Sequence, residues 1–317
     1  MSSLKKVSAI ICTYNRYDLL AKSIESLVSQ SIPSSEYEII VVDNTPNARL
    51  EEGKSYFERY SKVPNLTYLF ENTPGLSNAR NVGIKESSSE IIAFLDDDAI
   101  ASERWLEEII HSFASFEKVG VVGGKISPIW ELERPAWLDD TLKGYVSVVD
   151  WGGRLRIASE DEWFAGANIA FKKSLLQECG GFSTSLGRVG SGNVLLSNEE
   201  IQVLNYIKNS GYHSVYSPDA CVKHLVEKAR ISRDWFRRRV SWQAASDFIM
   251  NSDMSEQRIQ NELDNLKKYL SSLEPLSRNI QGLYQKTDDP GLFRWQLSAI
   301  YSMVILNLSG FKGLENE

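Results

Sequence analysis

The first 125 residues alternate short continuous apolar runs with stretches whose apolar positions recur every three or four residues. Segments 7–11, 39–42, 66–70, 91–95 and 119–122 have the length and the apolar content of strands buried on both faces. Between the first two, Leu20, Ile24, Leu27 and Val28 fall on one helical face, and Leu106, Ile109, Ile110 and Phe113 do the same later. Asp18, Ser77 and the Ser102-Glu103 pair are the expected helix starts. Strands alternating with helices imply right-handed βαβ units and a mostly parallel sheet, so the fold class is α/β. From 125 to 165 the periodicity dissolves into an aromatic-rich segment read as loop. Then come an expected strand at 166–171, a short helix ending at Gly180-Gly181, a glycine-rich loop at 187–192, a helix through Ile201, Leu204 and Ile207, and two short strands at 215–216 and 220–222. From Ser232 onward the pattern is helical, with one stripe at Leu263, Leu266, Tyr269, Leu270 and Leu273 and another at Leu297, Ile300, Tyr301, Val304, Ile305 and Leu308. The expected organisation is a sheet domain over 1–228, with halves 5–125 and 126–228, followed by a helical region over 229–317.

Three of the strands run into polar clusters: Thr13-Tyr14-Asn15-Arg16, Asp43-Asn44 and Asp96-Asp97-Asp98. In a parallel sheet these share the carboxyl edge, where open α/β folds bind ligands. Three adjacent carboxylates repel and raise one another's pKa unless a cation lies among them. An extended chain turns Asp96 and Asp98 to one side and Asp97 to the other, so two hard oxygen ligands share a face. A solvated acidic turn would explain a lone Asp-x-Asp equally well; the convergence of three polar strand ends favours a site.

Composition narrows the function classes. A chain of 317 residues, 42% hydrophobic and 24% charged, is that of an ordinary globular protein of one or two domains. Its formal charge of −7 argues against a nucleic-acid partner. Cys12, Cys179 and Cys221 are too few and too scattered for a disulfide framework or a zinc cluster, which fits a reducing compartment. Residues 1–6 lack a signal-peptide pattern, and no stretch reaches the roughly eighteen apolar residues of a membrane span, so a cytoplasmic location is expected. The C-terminal stripes are expected to pack on the sheet domain, to pair with a second copy, or to rest peripherally on the inner face of the cell membrane. The shortage of basic residues beside 297–308 counts against the last.

Taken in order, Val7-Ser-Ala-Ile-Ile-Cys-Thr-Tyr-Asn-Arg16, Val41-Val-Asp-Asn44, Gly75-Leu-Ser-Asn-Ala-Arg-Asn-Val-Gly-Ile84, Phe94-Leu-Asp-Asp-Asp98, Gly166-Ala-Asn-Ile-Ala-Phe171, Gly180-Gly-Phe182 and Asn198-Glu-Glu200 resemble the motifs of family 2 glycosyltransferases of the GT-A fold, over about residues 5–225. The resemblance implies a Rossmann-like central sheet, a nucleotide-binding half over 5–125, an acceptor-binding half over 126–228 and a helical appendage. It implies inverting transfer of a sugar from a nucleotide-sugar, a UDP-sugar being the common choice, to a hydroxyl of a glycan or lipid-linked saccharide, assisted by Mn²⁺ or Mg²⁺. On the same basis Asp98 is the direct metal ligand, Asp96 contacts the ribose or the metal's water shell, and His224 is a further metal or phosphate contact. Asp43 would bind the base beside a wall of Thr13, Tyr14 and Asn15, with Arg80 as the cation near base or phosphate. Glu200 stands where relatives carry the general base, but the Glu199-Glu200 pair replaces the usual Glu-Asp, so the base is open between Glu200 and Glu199.

Each assignment has a plainer counterpart. Asp97 reads as a solvated or capping acid, Asp43-Asn44 as a turn cap, Arg80 as a surface helix residue and His224 as a packed histidine. Ser197-x-x-Glu200 matches a capping box, and Trp163-Phe164 is a sugar platform or core. The 233–239 arginine cluster, with Trp235 and Trp242, resembles the segment after the catalytic domain that touches phosphate or membrane in relatives; as a plain helix it is a charged face with both indoles buried, and the plain reading is preferred. A catalytically inactive nucleotide-sugar-binding protein is the alternative function. A phosphatase using an Asp-x-Asp nucleophile would carry it after the first strand, whereas here it follows the fourth. Segments 125–165 and 187–192 are expected to select sugar and acceptor.

Overall fold

In the computed structural model, which describes residues 5–46, 49–190, 194–251 and 254–310, each of the five N-terminal apolar runs is a strand. In chain order the elements are β1 (Val7–Thr13), α1 (Tyr17–Val28), β2 (Tyr37–Asp43), α2 (Leu50–Phe57), β3 (Leu66–Phe70), α3 (Leu76–Glu86), β4 (Ile91–Asp96), β5 (Ala99–Ala101), α4 (Trp105–Ser115), β6 (Val119–Trp130), β7 (Arg156–Ile157), β8 (Asn168–Lys172), α5 (Lys173–Glu178), α6 (Glu199–Asn209), β9 (His213–Val226), α7 (Arg233–Met250), α8 (Glu256–Ser272) and α9 (Pro290–Leu308).

The strands form one sheet in the order β3-β2-β1-β4-β8-β6-β9-β5, with β7 on β9. β1 is parallel to β2 and β4, and β2 to β3, which gives the Rossmann-like portion. β8 enters antiparallel between β4 and β6, and β9 is antiparallel to β5 and β7. The register pairs Thr13 with Asp43 and Cys12 with Asp96, so the three polar strand ends finish level with one another. Alternate residues feed two cores, as a sheet covered on both faces requires. Ala9, Ile11, Ile39, Val41, Ala93 and Leu95 pack with Leu20 and Ile24 of α1 and Trp105 and Ile109 of α4. Ile10, Ile40, Val42, Ile92 and Phe94 pack with Ala79 of α3, Leu176 of α5 and Val203 and Ile207 of α6.

Several expected boundaries move. Asp18 lies inside the first turn of α1 rather than capping it, where its charge still suits the helix N-terminus. α3 begins at Leu76 after Gly75, whose φ of 140° demands glycine, and α4 begins at Trp105, because residues after the acidic triplet form β5 first. β6 extends to Trp130 into the segment read as loop, and β7 lies in that segment too. The two short strands expected around 215 and 222 are one strand, β9; Pro218 lies between its ladders with β7 and β5. Gly124 lets β6 approach closely, since a Cβ there would fall 1.8 Å from the Ala220 carbonyl oxygen.

The chain divides into two compact units. Met1–Ile129, Ser147–Val194 and Glu199–Leu225 form the first, and Trp130–Val146, Leu195–Asn198 and Val226–Glu317 form the second. The first unit contains both cores described above. In the second, Trp137 packs edge-on against Phe236 of α7 and Phe293 of α9, with ring centroids 5.3 and 5.0 Å away. α9 buries Leu297, Ile300 and Ile305, and its buried Gln296 and Ser302 bond the Gln285 carbonyl and Glu262. α7 buries Phe236, Arg237, Val240 and Ala244, while Trp235 and Trp242 are only half-buried, so the expectation of two buried indoles does not hold. No helix among the described residues is long and apolar enough to cross a membrane.

Candidate active site

The acidic triplet lies where β4 ends and turns into β5, and its three side chains meet different surroundings. Asp98 is buried; its Oδ1 lies 3.1 Å from His224 Nε2 and its Oδ2 accepts from Arg16 Nη2 at 2.9 Å. β5 and β9 bring His224 there, because their ladder pairs it with Ala99, the residue after Asp98. Asp96 is more open, and its carboxylate lies on the same side as Asp98 and His224. Asp97 departs from the expectation of a solvated or capping acid: it is buried, accepts from Thr13 Oγ1 at 2.8 Å and Arg16 Nη1 at 3.2 Å, and ties α1 to the triplet through Ser23 Oγ on its carbonyl. Burial pushes the Asp97 carboxyl up to about 7, Arg16 works against that rise, and Asp98 adds to it. Cys12, beside Asp96 in the ladder, is pushed by burial to about 12, which makes it an inert thiol.

Asp43 is 0% exposed. Its Oδ2 accepts from Tyr17 Oη at 2.7 Å and Tyr68 Oη at 3.0 Å, and its Oδ1 accepts from the Thr45 amide at 3.0 Å. Three of the carboxylate's roughly four acceptor positions are thus taken by internal partners. Asn44 does act as a turn clamp: its amide bonds the Glu71 and Thr73 carbonyls, and its Oδ1 accepts from the Gly75 amide at the entrance to α3. Asn15 is exposed at φ 62°, a conformation asparagine tolerates, and its backbone N–H donates to Thr45 Oγ1. Tyr14 beside it is half-buried.

The second part of the site is an ion cluster. Arg80 is buried rather than on the surface: α3 carries it inward, over the rings of Phe94 and Phe182 at 5.5 and 5.3 Å. One guanidinium nitrogen, Nη1, donates to Glu199 Oε1 at 3.0 Å and to Glu200 Oε1 at 2.9 Å. Nη2 lies 4.0 Å from Asp96 Oδ1, so Arg80 links the glutamates to the triplet. Burial opposes the charge on Arg80, but Glu200, Glu199 and Asp96 outweigh it and raise its pKa. The two glutamates begin α6, yet their environments differ. Glu199 is buried, its Oε2 has no hydrogen-bond partner among the described residues, and burial together with Glu200 pushes its carboxyl up to about 8 against the pull of Arg80. Glu200 keeps 15% of its side chain exposed. The capping-box reading fails here, because the Ser197 amide donates to Ser246 Oγ and Glu200 turns to Arg80. Gly166 makes the cluster sterically feasible: a Cβ there would stand 2.0 Å from Arg80 Nη2 and 2.3 Å from Glu200 Oε1.

The donor set fits a divalent cation. The ligating atoms of Asp96, Asp98 and His224 lie within 4.8 Å of one another, two hard oxygens and an imidazole. His224 is buried, and its Nδ1 has no hydrogen-bond partner among the described residues, leaving a polar atom without its usual compensation. Phe164 is core, packed against Gly123, and Trp163 is partly buried with its ring edge-on to Trp151. Residues 191 and 192 of the glycine-rich loop lie outside the described residues.

Sequence reasoning missed Arg16, Tyr17, Tyr68 and Gly166. Arg16 was visible in the cluster after β1, and a cation near three acids could have been paired with them. Tyr17 and Tyr68 looked like core aromatics. Tyr68 Oη reaches Asp43 because β3 runs beside β2, whereas Tyr17 reaches it from the first turn of α1.

The profile of Glycosyl transferase family 2 matches residues 8–178. The chain is 26% identical over 249 residues to glucosyl-dolichyl phosphate glucuronosyltransferase of Haloferax volcanii, covering 78% of this chain and 77% of that protein. Two further curated relatives align over shorter stretches, 40% and 32% of their own lengths. Among solved structures, mannosyltransferase PcManGT from Pyrobaculum calidifontis, in complex with GDP-Man and Mn²⁺, superposes with a TM-score of 0.61 at 18% identity, covering 98% of this chain and 89% of that one. Staphylococcus aureus TarS 1-349, in complex with UDP, gives 0.52 at 14% identity over 96% and 92%. With more than half its length matched by the family profile, and a GT-A fold around the acidic strand end, the chain belongs to glycosyl transferase family 2.

Proposed function

We propose that the chain transfers a sugar from a nucleotide-diphosphate donor to a hydroxyl of a glycan or lipid-linked saccharide, with inversion at the anomeric carbon. The carrying observation is that Arg80 joins two constellations in one unit: the Asp96, Asp98 and His224 donor set, and the Glu199-Glu200 pair. Asp98, Asp96 and His224 would hold Mn²⁺ or Mg²⁺, whose chemistry is to neutralise charge developing on a leaving diphosphate. Thr13, Tyr14 and Asn15 line the nucleotide side, and Asp43 acts there chiefly by fixing Tyr17, Tyr68 and the Thr45 turn.

Glu200 removes the acceptor proton. A general base must be ionised before it accepts a proton and must be reachable, and Glu199, buried with a carboxyl near 8, meets neither condition at neutral pH. Arg80 orients Glu200, and Glu199 completes the arginine's coordination. Attack by one activated hydroxyl in a single displacement inverts the centre. The name of the Haloferax relative, which couples glucuronosyl transfer to a dolichyl-phosphate-linked glucose, supports a lipid-linked acceptor. A UDP-sugar is the first donor to try, with a GDP-sugar beside it because the PcManGT structure holds GDP-Man.

The test is donor binding by calorimetry across UDP- and GDP-sugars, with and without Mn²⁺, for the unaltered protein and Asp98→Ala. Metal-dependent binding of one donor class that Asp98→Ala abolishes is expected. Binding that ignores both metal and substitution would sink the reading.

A further inference from the structure

The residues just ahead of α6, Ser197 and Asn198, are held by one face of α7. Asn198 is 2% exposed and has a φ of 79°, a left-handed conformation that asparagine tolerates and glycine adopts freely. Its side chain is engaged at both ends: Nδ2 donates to Asp247 Oδ1 at 2.6 Å, and Oδ1 accepts from Gln243 Nε2 at 2.8 Å. Gln243 Nε2 also donates to Asp247 Oδ1 at 2.9 Å, which closes a ring of Asn198, Gln243 and Asp247. Ser197 is tied to the same helix, its backbone N–H donating to Ser246 Oγ at 3.0 Å and its Oγ to Gln243 Oε1 at 3.2 Å.

Asp247 is fixed in turn from α8 and α9. Its Oδ2 accepts from Tyr301 Oη at 2.6 Å, and that hydroxyl accepts from Arg258 Nη2 at 3.2 Å. A carboxylate with both oxygens occupied, beside a carboxamide that donates and accepts at once, leaves the Asn198 side chain one orientation. Glycine at 198 would supply the backbone conformation without any of these bonds, so the side chain does more than the turn requires. The next residues in the chain are Glu199 and Glu200, which begin α6. Rotation about the backbone of residue 198 swings both carboxylates, and misplacing a reacting group by about 1 Å costs on the order of 10²-fold in rate.

We propose, on the reading of Glu200 as the base, that Gln243, Asp247 and Tyr301 are positioning residues for Glu200, acting through Asn198. They hold the left-handed turn at 198 in one setting, and the turn sets where the first carboxylates of α6 point.

Hydrogen exchange and turnover of the full chain test this together. In a helix that starts at Glu199, the amides of Val203 and Leu204 donate to the carbonyls of Glu199 and Glu200. Asn198→Gly and Asp247→Ala should each speed exchange at these two amides roughly tenfold. Turnover of UDP-glucose and GDP-mannose with Mn²⁺ is read as release of UDP or GDP, with water in place of the acceptor. A water proton passes to Glu200, the water oxygen bonds the anomeric carbon, and the bond from that carbon to the diphosphate breaks. In both variants kcat should fall roughly 10–100-fold while donor affinity by calorimetry changes less than about twofold. Asp247→Asn keeps one oxygen and should restore part of the loss. Ser302→Ala removes the bond from α9 to Glu262 of α8 without touching Asn198; it should lower the melting temperature and leave exchange and kcat unchanged. Asn198→Gly keeps the test decisive if Asp247→Ala misfolds by circular dichroism. Unchanged exchange in Asn198→Gly overturns the proposal. So does faster exchange with unchanged kcat, or a loss of kcat that Ser302→Ala reproduces. If the unaltered protein turns over neither donor, or Glu200→Gln keeps full kcat, the transfer reading fails instead, and exchange at Val203 and Leu204 still decides whether α7 holds the turn.

Discussion

Glu199 and Glu200 are adjacent, chemically identical and bonded to the same arginine nitrogen, yet they cannot do the same work. Replacing Glu200 with glutamine keeps an oxygen for Arg80 and removes the proposed base. Donor binding should persist while kcat falls by about 10²–10⁴, the usual contribution of a positioned base; an unchanged kcat would move the role elsewhere. Glu199 makes a different prediction. Its folded carboxyl is raised to about 8 from an ordinary value of 4.5, so between these the folded state holds a proton that the unfolded state has released. Its stabilising contribution is complete below about 4.5 and is lost as pH rises through about 8. Glu199→Gln mimics the protonated form. Its melting temperature should fall less than that of the unaltered protein between about pH 6 and pH 9, and parallel pH profiles would refute the assignment. The chemical types at these two positions were legible in the sequence. Which of them is buried was not, because burial depends on what α3, β4 and the 166 turn place around them.

At the scale of elements, the site exists because three parallel strands end level and two later segments return to them. β8 and its preceding turn pass beside Arg80 at Gly166, and β9 pairs with β5 to deliver His224 to Asp98. Gly166→Ala tests the first contact. The added methyl would overlap Arg80 and Glu200, and Arg80 is buried with both glutamates on it, so neither can simply turn away. A loss of about 1–3 kcal/mol in stability, read by denaturant titration, is expected together with a fall in kcat larger than in affinity for the donor. The strands and most helices were readable from periodicity, since β1, β2 and β4 are buried on both faces and their apolar runs are continuous. β5 and the continuity of β9 were not readable. Three residues after an acidic triplet carry no pattern, and the proline in β9 looks like a break until both its ladders are seen.

At the scale of the whole molecule, the helical region is not simply a tail after residue 228. Trp130–Val146 belongs to the same compact unit as α7, α8 and α9, and the indole of Trp137 is buried against Phe236 and Phe293. A chain cut after residue 228 would strip that indole of both partners, each edge-on pair being worth about 0.5–1.5 kcal/mol beyond the area it buries. Red-shifted tryptophan emission and reduced soluble yield are expected. A truncated protein that matches the full chain in emission and melting temperature would show that 130–146 holds its structure without the helices.

The sequence alone determined the α/β alternation, the polar strand ends and the order of motifs that marks the family, because these are local properties of spacing and residue type. Asp96 and Asp98 do share a ligand face, but not by the strand alternation expected: β4 ends at Asp96 and Asp98 lies in the turn before β5, so the turn places it there. Only the tertiary structure decided that Asp97 is buried and held by Arg16, that Asp43 faces two tyrosines, and that Arg80 faces inward and holds both Glu199, which is buried, and Glu200, which is partly exposed. Each of these joins residues distant in the chain, and a carboxylate's role is set by the solvent and cations that the fold leaves beside it.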